Sequence, residues 1–274
     1  MKKNYLFLIK TCVVLSLFFA VACSGDDSIQ TPVCKITNPL NNAEFSITED
    51  NIEIAVTVNP AGGTIVEVQL MIDNVEYSVK TTAPYNFTVS TDDLAFGTHT
   101  LKAIAQNHQG TTGESAAVSI TVIGAQVGQA YQGGIIAYVD ETGRHGLIAA
   151  PEDQSDGILW WNGSYIETGA TATAIGTGKS NTEKIIEKQG AGAYAAQLCD
   201  DLVIDDYDDW FLPSQDELNI LYVNRIAIGG FMEAAYWSSS ESDNYGAWYQ
   251  YFANGFQSNT RKDSEGRVRA VRAF

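Results

Sequence analysis

From Val33 to Ile123 apolar and polar residues alternate, and that alternation limits this stretch to extended chain. Ile52-Glu53-Ile54-Ala55-Val56-Thr57-Val58 puts Ile52, Ile54, Val56 and Val58 on one side, because successive side chains of a strand point to opposite faces. Val66-Glu67-Val68-Gln69-Leu70-Met71-Ile72-Asp73 repeats the pattern, and Val118-Ser119-Ile120-Thr121-Val122 closes the block. Turn residues separate the runs at Asn59-Pro60-Ala61-Gly62-Gly63, Asp73-Asn74, Phe96-Gly97 and Asn107-His108-Gln109-Gly110. Roughly seven short strands in so short a stretch predict an all-β sandwich over residues 33–124.

Three segments of this block resemble bacterial immunoglobulin-like domains. They are Val68-Gln69-Leu70-Met71-Ile72-Asp73, Ala83-Pro84-Tyr85-Asn86-Phe87, and Gly97-Thr98-His99-Thr100-Leu101-Lys102-Ala103-Ile104-Ala105. The resemblance implies a spacer or binding module. His99 is expected to pack at a strand start rather than to act as a ligand.

At Gly124 the character changes. Trp160, Trp161, Trp210, Trp237 and Trp248 all follow it. Gly133–Gly143 and His145–Ala150 read as a hairpin, and residues 162–181 as a long loop rich in Gly, Thr and Ala. Helices are expected over Thr182–Lys188 and Ala191–Leu202, with Cys199 in the core. A third should start at Ser214, with Glu217 completing a capping box. Strands follow at Tyr236–Ser240, Ala247–Phe252 and Arg267–Phe274, the last alternating poorly.

The segments Gly133–Val139, His145–Ala150, Asp209–Leu218, Tyr236–Glu241, Ala247-Trp248 and Arg267–Arg272 occur in an order that resembles the DUF1566 family. The resemblance covers residues 125–274 and implies an α+β C-type-lectin-like domain. Two helices would pack on a small antiparallel sheet, the chain ends would lie close together, and a long irregular loop would present a binding surface. Relatives of this kind act in adhesion or glycan binding, without a fixed ligand or reaction.

The first residues, Met1-Lys2-Lys3-Asn4, precede an apolar run to Ala22. Small residues then flank Val21 before Cys23, which reads as a signal peptide over 1–22. Ala20-Val21-Ala22-Cys23 resembles a bacterial lipobox, and Ser24-Gly25-Asp26-Asp27 resembles the acidic export tag of Bacteroidetes lipoproteins. A lipidated tether over 23–32, outer-membrane attachment through lipid on Cys23 and display on the cell exterior are the expectations. Loss of the segment removes three Lys and no acid, moving the net charge from −17 to −20. Such a charge repels nucleic acid, so no nucleic-acid partner is expected. Cys34 and Cys199 then remain. They are read as two separate buried thiols, although export would permit one bridge.

No Gly-x-Ser-x-Gly, Cys-x-x-Cys or phosphate-loop pattern occurs, and His145 is the only His after Gly124. A non-enzymatic protein is expected; a glycosidase would need two carboxylates facing each other across a groove. The region Trp237, Glu241, Asp243, Asn244, Tyr245, Trp248, Asn254, Gln257 and Asn259 has the composition of a sugar site, aromatics for ring faces and carboxylates and amides for hydroxyls. Its calcium-lectin motifs are missing. Asp205, Asp206 and Asp208 are weak candidates for Ca2+, without EF-hand spacing. The expected function is an adhesin or glycan-binding surface lipoprotein. The alternatives are a structural or protein-interaction lipoprotein and, less favoured, a glycoside-acting enzyme.

Overall fold

The computed structural model describes residues 30–274, so the expected signal segment, Cys23 and most of the tether lie outside the described residues. Nine strands form the first domain: β1 (Val33–Asn38), β2 (Ala43–Ser46), β3 (Asn51–Asn59), β4 (Ile65–Ile72), β5 (Val75–Lys80), β6 (Tyr85–Ser90), β7 (Gly97–Asn107), β8 (Thr112–Glu114) and β9 (Val118–Ile123). They make two sheets, β1-β3-β6 and β2-β9-β7-β4-β5, with β8 paired to β7. Ile52, Ile54 and Val56 of one sheet are buried, as are Val68, Leu70, Ile72, Leu101 and Ala103 of the other. Val66, expected on the inner face, is exposed. The register with β7 shifts between Ile65 and Glu67, and that bulge turns Val66 outward.

The chain enters and leaves this sandwich at opposite ends. Gln30 lies beside Asn107 at the end of β7, whose side-chain amide donates to its carbonyl at 3.4 Å. β9 finishes against the start of β7, with Val122 paired to Gly97. The length of β7 separates the two points by roughly 30 Å.

Asp73 and Asn74 occupy the β4–β5 turn with φ of 51° and 66°, the left-handed pair that a tight hairpin requires. The Asp73 carboxylate accepts from the Thr100 N–H at 2.8 Å and meets His99 Nδ1 at 2.6 Å. His99 Nε2 lies 2.8 Å from the Ala95 carbonyl. Acceptors face both ring nitrogens, so the geometry favours the doubly protonated ring. Burial alone would lower the His99 pKa, but the Ala95 carbonyl and Asp73 outweigh it and raise it. The Thr100 N–H, then His99, lower that of Asp73. The imidazolium's stabilisation is complete below the ordinary His value of about 6.5 and is lost as pH rises through the raised value. The Asp73 contribution is present above the ordinary carboxylate value and is lost as pH falls through the lowered one. Denaturation from about pH 5.5 to about pH 8.5 should therefore show the sandwich weakening with rising pH. His99→Gln should flatten that slope, and an unchanged slope would rule the pair out as its cause.

The second domain contains β10 (Ala130–Tyr131), β11 (Gly134–Val139), β12 (Gly146–Ala149) and β13 (Ser155–Leu159), then helices α1 (Gly178–Gln189), α2 (Ala195–Asp200), α3 (Gln215–Val223) and α4 (Arg225–Ile228). β14 (Ala235–Glu241), β15 (Gly246–Tyr251), β16 (Phe256–Arg261), β17 (Glu265–Val268) and β18 (Val271–Ala273) complete it. The sheets run β10-β11-β12-β18 and β13-β17-β14-β15-β16. The two domains are therefore an immunoglobulin-like sandwich followed by a mixed α+β unit.

The capping box on α3 is present: the Ser214 hydroxyl accepts from the Glu217 N–H at 3.3 Å, and Glu217 accepts from the Ser214 N–H at 2.7 Å. Glu217 also accepts from the Gly176 N–H at 2.7 Å. Helix α1 starts four residues before the expected Thr182. Helix α2 is far shorter than Ala191–Leu202, because Asn162 holds the preceding turn by donating to the Gln189 and Ala191 carbonyls at 3.2 and 2.9 Å. Cys34 and Cys199 are free, buried thiols.

The expected last strand, Arg267–Phe274, is two strands in two sheets, and Arg269-Ala270 is the corner between them. Poor alternation follows, since each Arg pairs with a carboxylate distant in sequence. Arg267 pairs with Asp153 and Asp156, Arg269 with Asp153, and Arg272 with Asp209.

Turn residues Gly143 and Arg144 meet the sandwich. Arg144 donates to the Leu94 carbonyl at 2.5 Å, reaches Asp92 at 3.3 Å and lies 4.7 Å over the Phe96 ring.

Candidate functional site

Residues 146–160 run antiparallel beside 262–274, from Gly146 against Phe274 to the Trp160 N–H against the Lys262 carbonyl at 3.1 Å. The ladder starts next to the turn that touches the sandwich. Its far end lies up to roughly 40 Å away along the chain.

An internal ion pair organises that far end. Lys262 and Glu241 have side chains 0% and 1% exposed, with Nζ 2.5 Å from Oε1. Lys262 also donates to the Ile166 carbonyl at 2.9 Å and lies 4.8 Å over the Trp160 ring. The second carboxylate oxygen accepts from the Thr168 and Gly169 N–H groups, each at 3.0 Å. The pair thus satisfies both charges and fastens the irregular loop across the end of β14, as a buried pair requires.

Ser238, Ser239 and Ser240 are buried in the same seam. Ser238 Oγ donates to the Trp248 carbonyl at 2.9 Å, Ser240 Oγ to the Ala172 carbonyl at 2.7 Å, and Ser239 Oγ accepts from Asn181 at 3.4 Å. The run Trp237–Glu241, polar enough to read as surface, is an internal fastening.

Above the pair stands an aromatic cluster. The Trp161 and Tyr165 rings are 4.1 Å apart, and Tyr165 and Tyr245 are 5.3 Å apart. Tyr245 is 58% exposed. The Lys262 N–H donates to the Tyr245 carbonyl at 2.9 Å, which ties the cluster to the buried pair. Arg261 donates to the Tyr165 hydroxyl at 2.5 Å and grips Asp263 through Nε at 3.0 Å and Nη2 at 2.9 Å. Arg261 draws the Asp263 pKa down to about 2.

Among the described residues three buried side-chain atoms lack a hydrogen-bond partner, and two of them, Trp161 Nε1 and Ser242 Oγ, belong to residues of this pole. Such atoms are uncommon, because each costs about 1–3 kcal/mol when left unpaired.

The sequence-predicted site residues separate into several places. Asp243, Asn244 and Tyr245 form the β14–β15 turn, where Asp243 accepts from the Tyr245 and Gly246 N–H groups at 2.7 and 2.8 Å. Trp237 and Glu241 are corrected: both are buried, and the Trp237 N–H is taken by the Ile158 carbonyl at 2.9 Å. Gln257 is engaged by Gln215 and Gln250 beside α3. Trp248 is half-buried and pairs across the strands with Asn259. Asn254 caps the turn at the opposite end of β15.

Asp205, Asp206 and Asp208 are exposed around a tight turn closed by the Ile204–Tyr207 bridge. Among the described residues no group of three His, Cys, Asp or Glu side chains is placed to hold a metal ion. Neighbouring Asp209 is engaged by Arg272 at 2.6 Å.

Trp161, Tyr165, Arg261 and Asp263 escaped the sequence reading. The one local signal was Trp160-Trp161 at a strand end, where consecutive side chains face opposite ways, one inward and one outward.

Residues 32–103 match the family described as Bacterial Ig domain. The N-terminal domain is a bacterial Ig-like domain. Residues 150–272 match the Lcl C-terminal domain, a distinct family description in place of the expected DUF1566. The internal ion pair and the aromatic cluster fall inside that second match.

No curated protein matches the chain. Among solved structures, the Ig-like domain is similar to the fibronectin(III)-like modules of Clostridium thermocellum CbhA, at 27% identity and TM-score 0.30, over 33% of this chain and 94% of that one. A fimbrial protein from Bacteroides ovatus is similar over 88% of this chain and 70% of its own, at 14% identity and TM-score 0.41. An endo-β-1,4-mannanase from Thermotoga petrophila is similar over 35% of this chain, at 15% identity and TM-score 0.28. The chain spans 21% of that enzyme's length.

Proposed function

We propose that the chain is an exported lipoprotein of the outer membrane, held by lipid on Cys23 and facing the exterior, which binds glycans non-enzymatically at the pole carrying Trp161, Tyr165 and Tyr245. The observation that carries this reading is the cluster of three aromatic rings, Tyr245 exposed among them, beside two buried polar groups without partners among the described residues, at the end of the ladder far from the turn that meets the sandwich. Aromatic faces suit the apolar faces of sugar rings, and the Ser and Asn side chains of the adjoining turn suit their hydroxyls. No helix among the described residues is long and apolar enough to cross a membrane. Attachment through lipid would need none.

A C-type-lectin-like fold is part of the same proposal. Its support is the helices on a small sheet, the long loop over β14, and the Tyr131 and Phe274 rings 5.5 Å apart, which bring the start and end of the domain together.

A glycan array run with the full-length chain in detergent, with calcium and with chelator, tests the reading. Binding is expected, and Tyr245→Ala should weaken it about tenfold. Absence of binding in both conditions would refute the glycan reading. A fall with chelator would add a role for calcium.

A further inference from the structure

On the face of β14, β15 and β16 away from α3 lies an open cleft of about 270 Å³. Tyr249 and Tyr251 wall it, Trp237 and Gly266 line it, and Ser264 and Glu265 edge it. Tyr251 is 40% exposed, and Phe256 across the strand from it is 59% exposed. The hydroxyls of Thr260 and Ser264 stand 3.4 Å apart, and Glu265 has no ion-pair partner among the described residues.

The cleft and the cluster share one turn. Thr260 and Ser264 face the cleft, while Arg261 and Asp263 between them reach Tyr165. From Tyr245 to Tyr251 the chain covers roughly 20 Å, several times the width of one ring. The cleft is below the roughly 300–1,000 Å³ of sites that enclose a whole small molecule, a size for one unit of a longer ligand. Asp263 pairs with Arg261, the cation bordering this surface, while Glu265 edges the cleft with a further carboxylate.

We propose that this cleft is a second subsite continuous with the aromatic cluster, and that the ligand is an uncharged oligosaccharide chain lying across the Arg261–Ser264 turn. The inference rests on the glycan reading above and adds the length and charge of the ligand.

Calorimetric titration of the full-length chain in detergent tests it. The probes are neutral gluco-, manno-, galacto- and xylo-oligosaccharides of one to six units, with a sulfated hexasaccharide as the charged comparison. In the series that binds, the hexasaccharide should bind at least tenfold more tightly than the monosaccharide, and the sulfated probe more weakly than the neutral one. Tyr251→Ala should abolish the gain with length, whereas Tyr245→Ala should weaken binding at every length. Length-independent binding, or a Tyr251→Ala protein that keeps the full gain, would overturn the second subsite and leave the glycan reading standing. Preference for the sulfated probe would overturn the uncharged ligand. No binding by any probe would overturn this inference together with the reading it rests on.

Discussion

Lys262→Ala should lower the stability of the C-terminal domain by about 3–5 kcal/mol. The substitution leaves Glu241 as a buried anion whose remaining partners are the Thr168 and Gly169 N–H groups, and it deprives the Ile166 carbonyl of its donor. The lost Coulomb energy matters less than the desolvation that nothing then offsets. Lys262→Met combined with Glu241→Gln should lose less than Lys262→Ala, since the Gln oxygen still accepts from the loop and no unpaired charge remains. A double-mutant cycle by chemical denaturation would measure the coupling. Additive losses would mean that the two groups do not act as a pair. Because the pair fastens the loop through the Ile166 carbonyl and the Thr168 and Gly169 N–H groups, proteolysis in the native state should cut first in residues 162–177 of the variant.

The second large effect is expected at Arg269. This side chain is 0% exposed and forks onto Asp153 through Nε and Nη2 at 2.9 and 2.7 Å. It also donates to the carbonyls of Ala150, Gly229 and Gly230, and stacks 4.1 Å over Phe231. Arg269→Ala removes the donors of three carbonyls at once, although Asp153 keeps Arg267 and the Tyr236 hydroxyl. A loss of about 3–5 kcal/mol follows. Arg269→Lys should recover only a minor part, because an ammonium cannot reproduce a planar fork. Full stability in the Lys variant would show that charge alone, not the fork, holds the corner.

Periodicity made the sandwich legible before its coordinates: β3, β4 and β9 follow the apolar alternation, and Val66 fails only because a bulge resets its face. The α3 start was equally readable, since a capping box is a local signal. The C-terminal strands were harder. Arg267, Arg269 and Arg272 have partners 63 to 116 residues away, and nothing local announces such pairs. The candidate site shows the same division. The sequence named Asp243, Asn244 and Tyr245, which the structure brings together in the β14–β15 turn. It also gathered Glu241 and Trp237, because a polar run beside a Trp looks exposed until a distant loop is known to cover it. Trp161 and Tyr165 lie in that loop, which has no periodicity to interpret.

The opposite placement of entry and exit on the sandwich has a mechanical consequence. Tension applied between residue 30 and Ile123 would load the domain along its strand axes. The β1–β3 and β2–β9 ladders would then be strained in shear, with many hydrogen bonds sharing the force at once, rather than peeled apart one by one. A module loaded this way resists tension better than one whose strands are unzipped in turn.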